Sequence, residues 1–322
     1  MNKITCVTIG DMNGIGIDIL IKLYQKNKIN NFILFTNVNC FKNYLKKNKK
    51  KIEINIINKN EYKKNKINIY SYFAKNIIEN STLSIKYSYL YCKNNQQKGI
   101  ITLPVNKSLI KKIEKNFIGH TEYYEKLSKS RITNMMFVYN KLIISTLTTH
   151  IKLKDVVKNI NKKNFVYNKI YTLYNSLIRD FNIINPKIII AGVNPHSGEN
   201  GHLGTEEKKS IIPQIKKLIK NNINVDGPVS GDSMLLKNNL KYYDCLLFIY
   251  HDQALIPFKY ISNFRGINYT SNLDVIRVSP DHGVAYDLVG KNVASNKSII
   301  NCFKLINKIN KNINNWKKQK NL

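Results

Sequence analysis

Arginine is almost missing from this chain. Of 52 basic residues only Arg131, Arg179, Arg265 and Arg277 carry a guanidinium, and the rest are Lys scattered among Asn and Ile. Acidic residues are scarce too, 20 against 52, which leaves a formal net charge of +32. A reader of nucleic acid concentrates its charge in a patch and uses Arg for planar contacts. Diffuse Lys without an aromatic-basic motif therefore argues against specific nucleic-acid binding, and leaves only a nonspecific pull on polyanions that salt releases. The Lys/Asn/Ile excess is read as a bias toward AT-rich codons. Cysteine is sparse and unpaired: Cys6, Cys40, Cys92, Cys245 and Cys302 lie far apart with no CxxC. The expectation is reduced thiols, Cys6 and Cys245 within core strands, in a cytoplasmic protein. No apolar run approaches membrane-spanning length and no targeting pattern precedes the first apolar run, so no membrane partner is expected. Neither an internal repeat nor the G-x-G-x-x-G of the dinucleotide fold is present.

What is present suits a large α/β protein. A chain of 322 residues with 43% hydrophobic content can bury a sizeable core and make two domains. Apolar, β-branched runs alternate with helical stretches. Strands are expected over Ile4–Ile9, Phe32–Thr36, Ile52–Ile57 and Gly99–Leu103, then as a hairpin over Met135–Tyr139 and Leu142–Leu147. Further strands are expected over Lys187–Val193, Cys245–Tyr250, Gly266–Thr270 and Val275–Val278, with a basic helix closing the chain. Asn58–Lys66 reads as a solvated loop, and Thr121 as the cap of a helix that opens near His120.

The organising stretch is Asn194-Pro195-His196-Ser197-Gly198-Glu199-Asn200-Gly201-His202-Leu203-Gly204. It follows a buried strand and precedes Thr205-Glu206-Glu207, which opens a helical pattern. Loops beyond the carboxyl ends of strands are where open α/β sheets bind ligands. All six histidines, His120, His150, His196, His202, His251 and His282, fall at such strand ends or in polar turns. Imidazoles on separate strand ends suggest a metal site assembled in space rather than by short spacing. The competing account is a set of unrelated surface histidines.

Seven stretches in order carry a family resemblance: Gly10-Asp11-x-x-Gly14-Ile15-Gly16, Pro104-Val105-Asn106-Lys107, Gly119-His120-Thr121-Glu122, Thr148-Thr149-His150, Asn194 to Gly204, Tyr250-His251-Asp252-Gln253 and Asp281-His282-Gly283. From roughly Ile4 to Ile299 the chain resembles the 4-hydroxythreonine-4-phosphate dehydrogenase family. It departs from that pattern at Met12, Asn13, Ile17, Asp18 and Gly231, none of which is a ligand position.

The resemblance implies two α/β/α domains with a cleft between them, like isocitrate and isopropylmalate dehydrogenases. The first domain would comprise 1–135 with about 276–322, and the second 136–275. It implies a divalent metal (Zn²⁺, Co²⁺ or Mg²⁺) on His150, His196 and His251, and substrate contacts from His120, Thr121, Lys259, Asn268 and Arg277. Asp232, Asp252 and Lys259 stand as undivided candidates for the catalytic acid or base. By a looser likeness of Asp281–Gly290 to the adenosine loop of the two dehydrogenases, His282 and Asp287 would face NAD or NADP. The implied reaction oxidises and decarboxylates 4-phosphohydroxy-L-threonine to 3-amino-2-oxopropyl phosphate, in a homodimer whose active site is shared. A sister activity on 4-phospho-threonate or 4-phospho-erythronate is the nearest alternative. A metal-dependent phosphohydrolase would use the same histidines but needs no adenosine loop. Arg277 has a plainer account of its own, as a surface Arg that drift has not replaced.

Overall fold

Short runs buried at every position make the central strands Thr5–Thr8, Phe32–Phe35, Ile188–Ala191 and Cys245–Phe248 of a computed structural model that describes residues 3–58, 61–130, 132–291 and 294–320. The chain divides into two units, Met1–Lys129 with Leu273–Asn307, and Ser130–Asn272 with Lys308–Leu322. The division falls a few residues from the expected 135/136 and 275/276 boundaries. The final residues group with the second unit, where Asn312 Nδ2 donates to the Asp180 carbonyl at 2.8 Å.

The first unit opens with β1 (Thr5–Thr8), α1 (Ile15–Gln25), β2 (Phe32–Phe35), α2 (Val38–Lys47), β3 (Ile54–Ile56) and β4 (Ile67–Tyr70). It continues with α3 (Ile77–Asn94), β5 (Gly99–Ile101), α4 (Lys107–Ile110) and α5 (His120–Ser128). Its strands lie in the order β3-β4-β2-β1-β5, all parallel, as expected of runs buried on both faces. Helix α3 packs on β1, β2 and β5, and Cys6, Ile33, Phe35, Ile85, Tyr89 and Ile100 form the core between them. The expected Asn58–Lys66 loop joins β3 to β4; its Lys59 and Asn60 lie outside the described residues.

The second unit holds the expected hairpin as β6 (Asn134–Tyr139) and β7 (Leu142–Thr146), followed by α6 (Val156–Ile160) and α7 (Phe165–Phe181). Then come β8 (Ile188–Ala191), α8 (Ile212–Lys220), β9 (Val225–Val229), α9 (Lys237–Tyr242), β10 (Cys245–Phe248), α10 (His251–Ser262) and β11 (Ile267–Ser271). The strand order is β11-β6-β7-β10-β8-β9, antiparallel across the hairpin and β11, parallel from β7 onward. Val166, Ile170, Leu173 and Leu177 make the buried stripe of α7, and Phe258 of α10 meets Phe137 of β6 at a ring distance of 5.5 Å. Asp180, fully buried, takes a forked pair of bonds from Arg179 at 2.6 and 3.0 Å and one from the Tyr269 hydroxyl at 2.6 Å. Its charge is thereby matched and its lone pairs filled.

The chain then returns to the first unit as β12 (Arg277–Pro280), parallel to β5, and ends in α11 (Lys297–Lys320). Cys6 and Cys245 are fully buried, and burial pushes both thiols up, so neither is a nucleophile at neutral pH. Among the described residues no helix is long and apolar enough to cross a membrane.

Candidate active site

Six of the seven motifs sort onto the carboxyl ends of two sets of neighbouring parallel strands, and the seventh, Gly119–Glu122, opens α5. In the first unit β1, β5 and β12 lie side by side, so the loops at 10–16, 104–107 and 281–290 leave one edge together. Gly10 has φ +67°, and a Cβ there would lie 2.7 Å from that of Leu103, so only glycine lets the first loop pass the exit of β5. Asp11 then donates its amide to the Pro104 carbonyl at 2.8 Å, and Ile15 donates to the Val284 carbonyl at 2.8 Å. The Tyr286 hydroxyl donates to Asp11 Oδ2 at 2.5 Å and receives Asn106 Nδ2 at 3.0 Å. One side-chain network thus locks three of the motif loops to each other.

Arg277 sits beside them on β12 at only 2% exposure, which overturns the account of it as a surface residue. Its Nε and Nη2 both donate to Thr102 Oγ1, at 3.0 and 2.6 Å, and its Nη1 to Thr121 Oγ1 at 3.3 Å. Desolvation draws the guanidinium down to about 10, so it remains charged at neutral pH. Thr121 is therefore not the helix cap expected of it. Gly119 occupies the cap position with no side-chain cap bond, and the hydroxyl of Thr121, a residue 6% exposed, accepts from Arg277 instead.

His120, the first residue of α5, is half-buried, and its Nε2 is shut from solvent without a hydrogen-bond partner. Burial, then the charges of Arg277 and Lys107, hold the imidazole well below its ordinary value. His282 Nε2 is likewise buried and unpartnered; desolvation lowers this group, opposed by the bond of its Nδ1 with the Gly283 carbonyl at 3.0 Å. Asp287 is exposed in the Tyr286–Leu288 turn. Two neutral imidazoles with a free ring nitrogen are ready to bond a polar ligand.

These shifts have a consequence for stability. The unfolded chain takes up a proton that folded His120 refuses, so this contribution is complete above about pH 6.5 and is lost as pH falls toward the depressed folded value. Between about pH 7 and pH 5 the melting temperature is expected to fall, and to fall less steeply in His120→Gln. An equal slope in that variant would contradict the assignment.

In the second unit β7, β10 and β8 are neighbours, and their exits carry His150, His251 and His196. Thr148 donates its amide and hydroxyl to the Ile249 carbonyl, at 3.0 and 2.7 Å, tying the first two exits together. Gln253 ties in the third, accepting from the Ile249 amide at 2.8 Å and donating to the Gly192 carbonyl at 3.1 Å. The rings of His150 and His251 lie 5.6 Å apart, and His251 Nδ1 is 2.7 Å from Asp252 Oδ1. Asp232, exposed on the turn after β9, is held below the usual carboxylate range by the Ser230 hydroxyl and further by the charge of His196.

Among the described residues, no three His, Cys, Asp or Glu side chains of one chain converge as a metal cage. The donor chemistry still fits a borderline divalent cation, since His150 and His251 present two imidazoles at one strand edge with a third, His196, on the next exit. Lys259 is not brought to them. It stands two turns along α10 from His251, about 12 Å of helix rise, with its Nζ 5.3 Å from the Phe264 ring. Asn268, on β11, has a buried Oδ1 without a hydrogen-bond partner.

The His196 loop holds what the sequence did not announce. His196, Ser197, Gly198, Glu199 and Asn200 all have positive φ, from +41° to +81°, a left-handed turn of five residues. Such backbone costs about 1–2 kcal/mol for each residue that is not glycine. Glu207 turns inward beneath it at 2% exposure, accepting from the Val193 and Asn194 amides at 2.8 and 2.9 Å and from Asn194 Nδ2 at 3.0 Å. An acid in a first helical turn ordinarily faces water, and that was the only signal Glu207 offered.

Parallel strands whose exits carry histidines and glycines, with a buried Arg at the start of β12, make an α/β fold of the kind in which ligands meet strand-end loops. A family model for the pyridoxal phosphate biosynthetic protein PdxA matches residues 25–306. The chain belongs to that family. A Wigglesworthia glossinidia brevipalpis protein named 4-hydroxythreonine-4-phosphate dehydrogenase is 35% identical over 315 residues, 93% of this chain and 95% of its own length. An Aquifex aeolicus protein of the same name is 34% identical over 319 residues, 95% and 98% of the two. The crystal structure of 4-hydroxythreonine-4-phosphate dehydrogenase from Klebsiella pneumoniae, 26% identical, superposes with a TM-score of 0.83 over 96% of this chain and 98% of that one.

Proposed function

We propose that this protein oxidises 4-phosphohydroxy-L-threonine with NAD or NADP and decarboxylates the product to 3-amino-2-oxopropyl phosphate, in the cytoplasm, for pyridoxal phosphate synthesis. The observation that carries this reading is the buried Arg277 beside His120 and Thr121, in a chain that matches a relative of that name over 93% of its length. A desolvated guanidinium gathered with hydroxyl and imidazole groups suits a phosphate, and Lys259 and Asn268 add a cation and an amide.

When bound, a divalent cation supplies polarisation of the substrate's hydroxyl and carbonyl oxygens, and a nicotinamide supplies the hydride acceptor. His150, His196 and His251 would hold the first, and the Asp281–Gly290 loop with His282 and Asp287 the second. A nicotinamide held there would accept the hydride of the secondary alcohol, whose hydroxyl proton would pass to a side chain. The β-keto acid so formed loses CO₂, and the carbon left behind takes up a proton. Asp252, Asp232 and Lys259, the last from a second copy, are the candidates to carry those protons. Equimolar CO₂ and reduced cofactor are expected per turnover. Reduced cofactor without CO₂ would remove the decarboxylation.

The site is shared between two copies in this reading. Helix α10 leaves Ile256 71% and Tyr260 89% exposed on either side of Lys259, apolar surface of the kind that a protein partner covers. A second copy at that surface can deliver Lys259 and complete the set of metal donors. Sedimentation at assay concentration is expected to show a homodimer, and mixing inactive His196→Ala and Lys259→Ala chains to restore partial activity. A fully active monomer would contradict the shared site.

A further inference from the structure

We propose that Glu207 is a positioning residue whose buried carboxylate holds the left-handed turn that presents His196. The proposal rests on the metal-binding role given to His196 above and adds the element that sets its place. Five successive residues with positive φ, four of them not glycine, will not hold that shape unaided. Two features brace the turn. The Ser197 hydroxyl donates to the Pro228 carbonyl at 2.9 Å, fixing the turn to the end of β9. Glu207 does more, because its Oε1 gathers the two amides just before the turn, Val193 and Asn194, while its Oε2 receives Asn194 Nδ2. The same Oε2 lies where a Cβ on Gly198, φ +81°, would stand only 2.8 Å away, so the middle of the turn rests directly on the carboxylate.

The chemistry requires an ionised acid. A carboxylate only accepts, and all three groups that meet it are N–H donors. Glutamine has the same shape but must turn its own NH₂ toward one of them, and the turn then loses part of its hold. Glu206 does not take this place: its Oε2 receives the Asn194 side chain, at 2.8 Å, while the Val193 and Asn194 amides go to Glu207. Glu207 is thus expected to act on the metal through His196 without touching it.

The test is Co²⁺ titration of the full-length, metal-stripped protein, read from cobalt absorbance, together with melting temperature. Co²⁺ affinity is expected to drop about 10- to 100-fold in Glu207→Gln. Leu218→Ala, a fully buried position on α8, serves as the control: it should lower the melting temperature at unchanged Co²⁺ affinity. Adding Glu199→Gly to Glu207→Gln removes one unfavourable left-handed residue and should recover affinity by on the order of fivefold. Unchanged affinity in Glu207→Gln, or an equal loss in Leu218→Ala, overturns the proposal. If Glu207→Gln does not fold, Asn194→Ala removes one of the three donors and carries the same comparison with a smaller loss. If the wild type binds no Co²⁺, the metal reading of His196 falls, and the positioning claim is then decided by amide exchange. Faster exchange over residues 193–204 in Glu207→Gln supports it, and unchanged protection overturns it.

Discussion

Turnover is expected to vanish, by well over the ~100-fold typical of outer-shell changes, when His150, His196 or His251 is replaced by Ala. Each histidine leaves the end of a different strand, β7, β8 or β10, and the strand hydrogen bonds do not pass through the imidazoles. The fold should therefore survive, with circular dichroism and melting temperature close to wild type. His150 and His196 are exposed and His251 half-buried, so truncation removes little packing. Three protein ligands are the fewest that hold a catalytic Zn²⁺ while leaving a position open, so losing one should be decisive. His202 is exposed at the far end of the left-handed turn, and His202→Ala should be much milder. A chelator should silence the wild-type enzyme. Full activity in the presence of chelator would end the metal hypothesis.

Arg277→Lys is expected to lower kcat/KM by about 10- to 100-fold, equivalent to about 1–3 kcal/mol of binding. The guanidinium spends three N–H groups on Thr102 and Thr121, and its fork is oriented by them. An ammonium keeps the charge but cannot repeat that fixed geometry toward two phosphate oxygens. The loss should appear mainly in KM, because the phosphate is held equally in the ground and transition states. With an analogue lacking the phosphate, already a poor substrate, the penalty should nearly disappear. An equal penalty with and without phosphate would make Arg277 a structural residue that supports Thr102 and Thr121.

The parts legible in the sequence were those where apolar residues do the work. Ile188–Ala191, Cys245–Phe248 and the β6–β7 hairpin read directly as strands because β-branched and aromatic runs have no other comfortable home. Helix α3 passed unread. Its buried face carries Asn80, Ser81, Thr82, Ser84 and Ser88, polar positions that show no apolar period. Ser81 and Thr82 settle there by donating to the carbonyls of Ile77 and Ile78, at 2.9 Å each, a local solution that hydropathy does not register. Strand β9 carries no strand pattern in the sequence, because Gly227 and Pro228 interrupt it, which an edge strand tolerates.

The candidate site divides the same way. Histidines on glycine-bearing strand ends pointed to the chemistry, and the structure groups four motifs in the first unit and three in the second. What supports them was hidden. Glu207 looked like an ordinary acid at a helix start, and only one residue of the left-handed turn, Gly198, is a glycine. Tyr286, which joins Asp11 to Asn106, comes from a loop 180 residues beyond Asn106. Contacts across such separations follow from strand order rather than from any local pattern.

The most direct test of the assignment is the appearance of reduced cofactor when enzyme, Zn²⁺ or Co²⁺, and NAD or NADP are mixed with 4-phosphohydroxy-L-threonine, beside parallel mixtures with 4-phospho-threonate and 4-phospho-erythronate. The expected result is rapid reduction with the amino acid and little with the other two. Reduction with either hydroxy acid, and none with 4-phosphohydroxy-L-threonine, would contradict the assignment and place the enzyme with the sister activities.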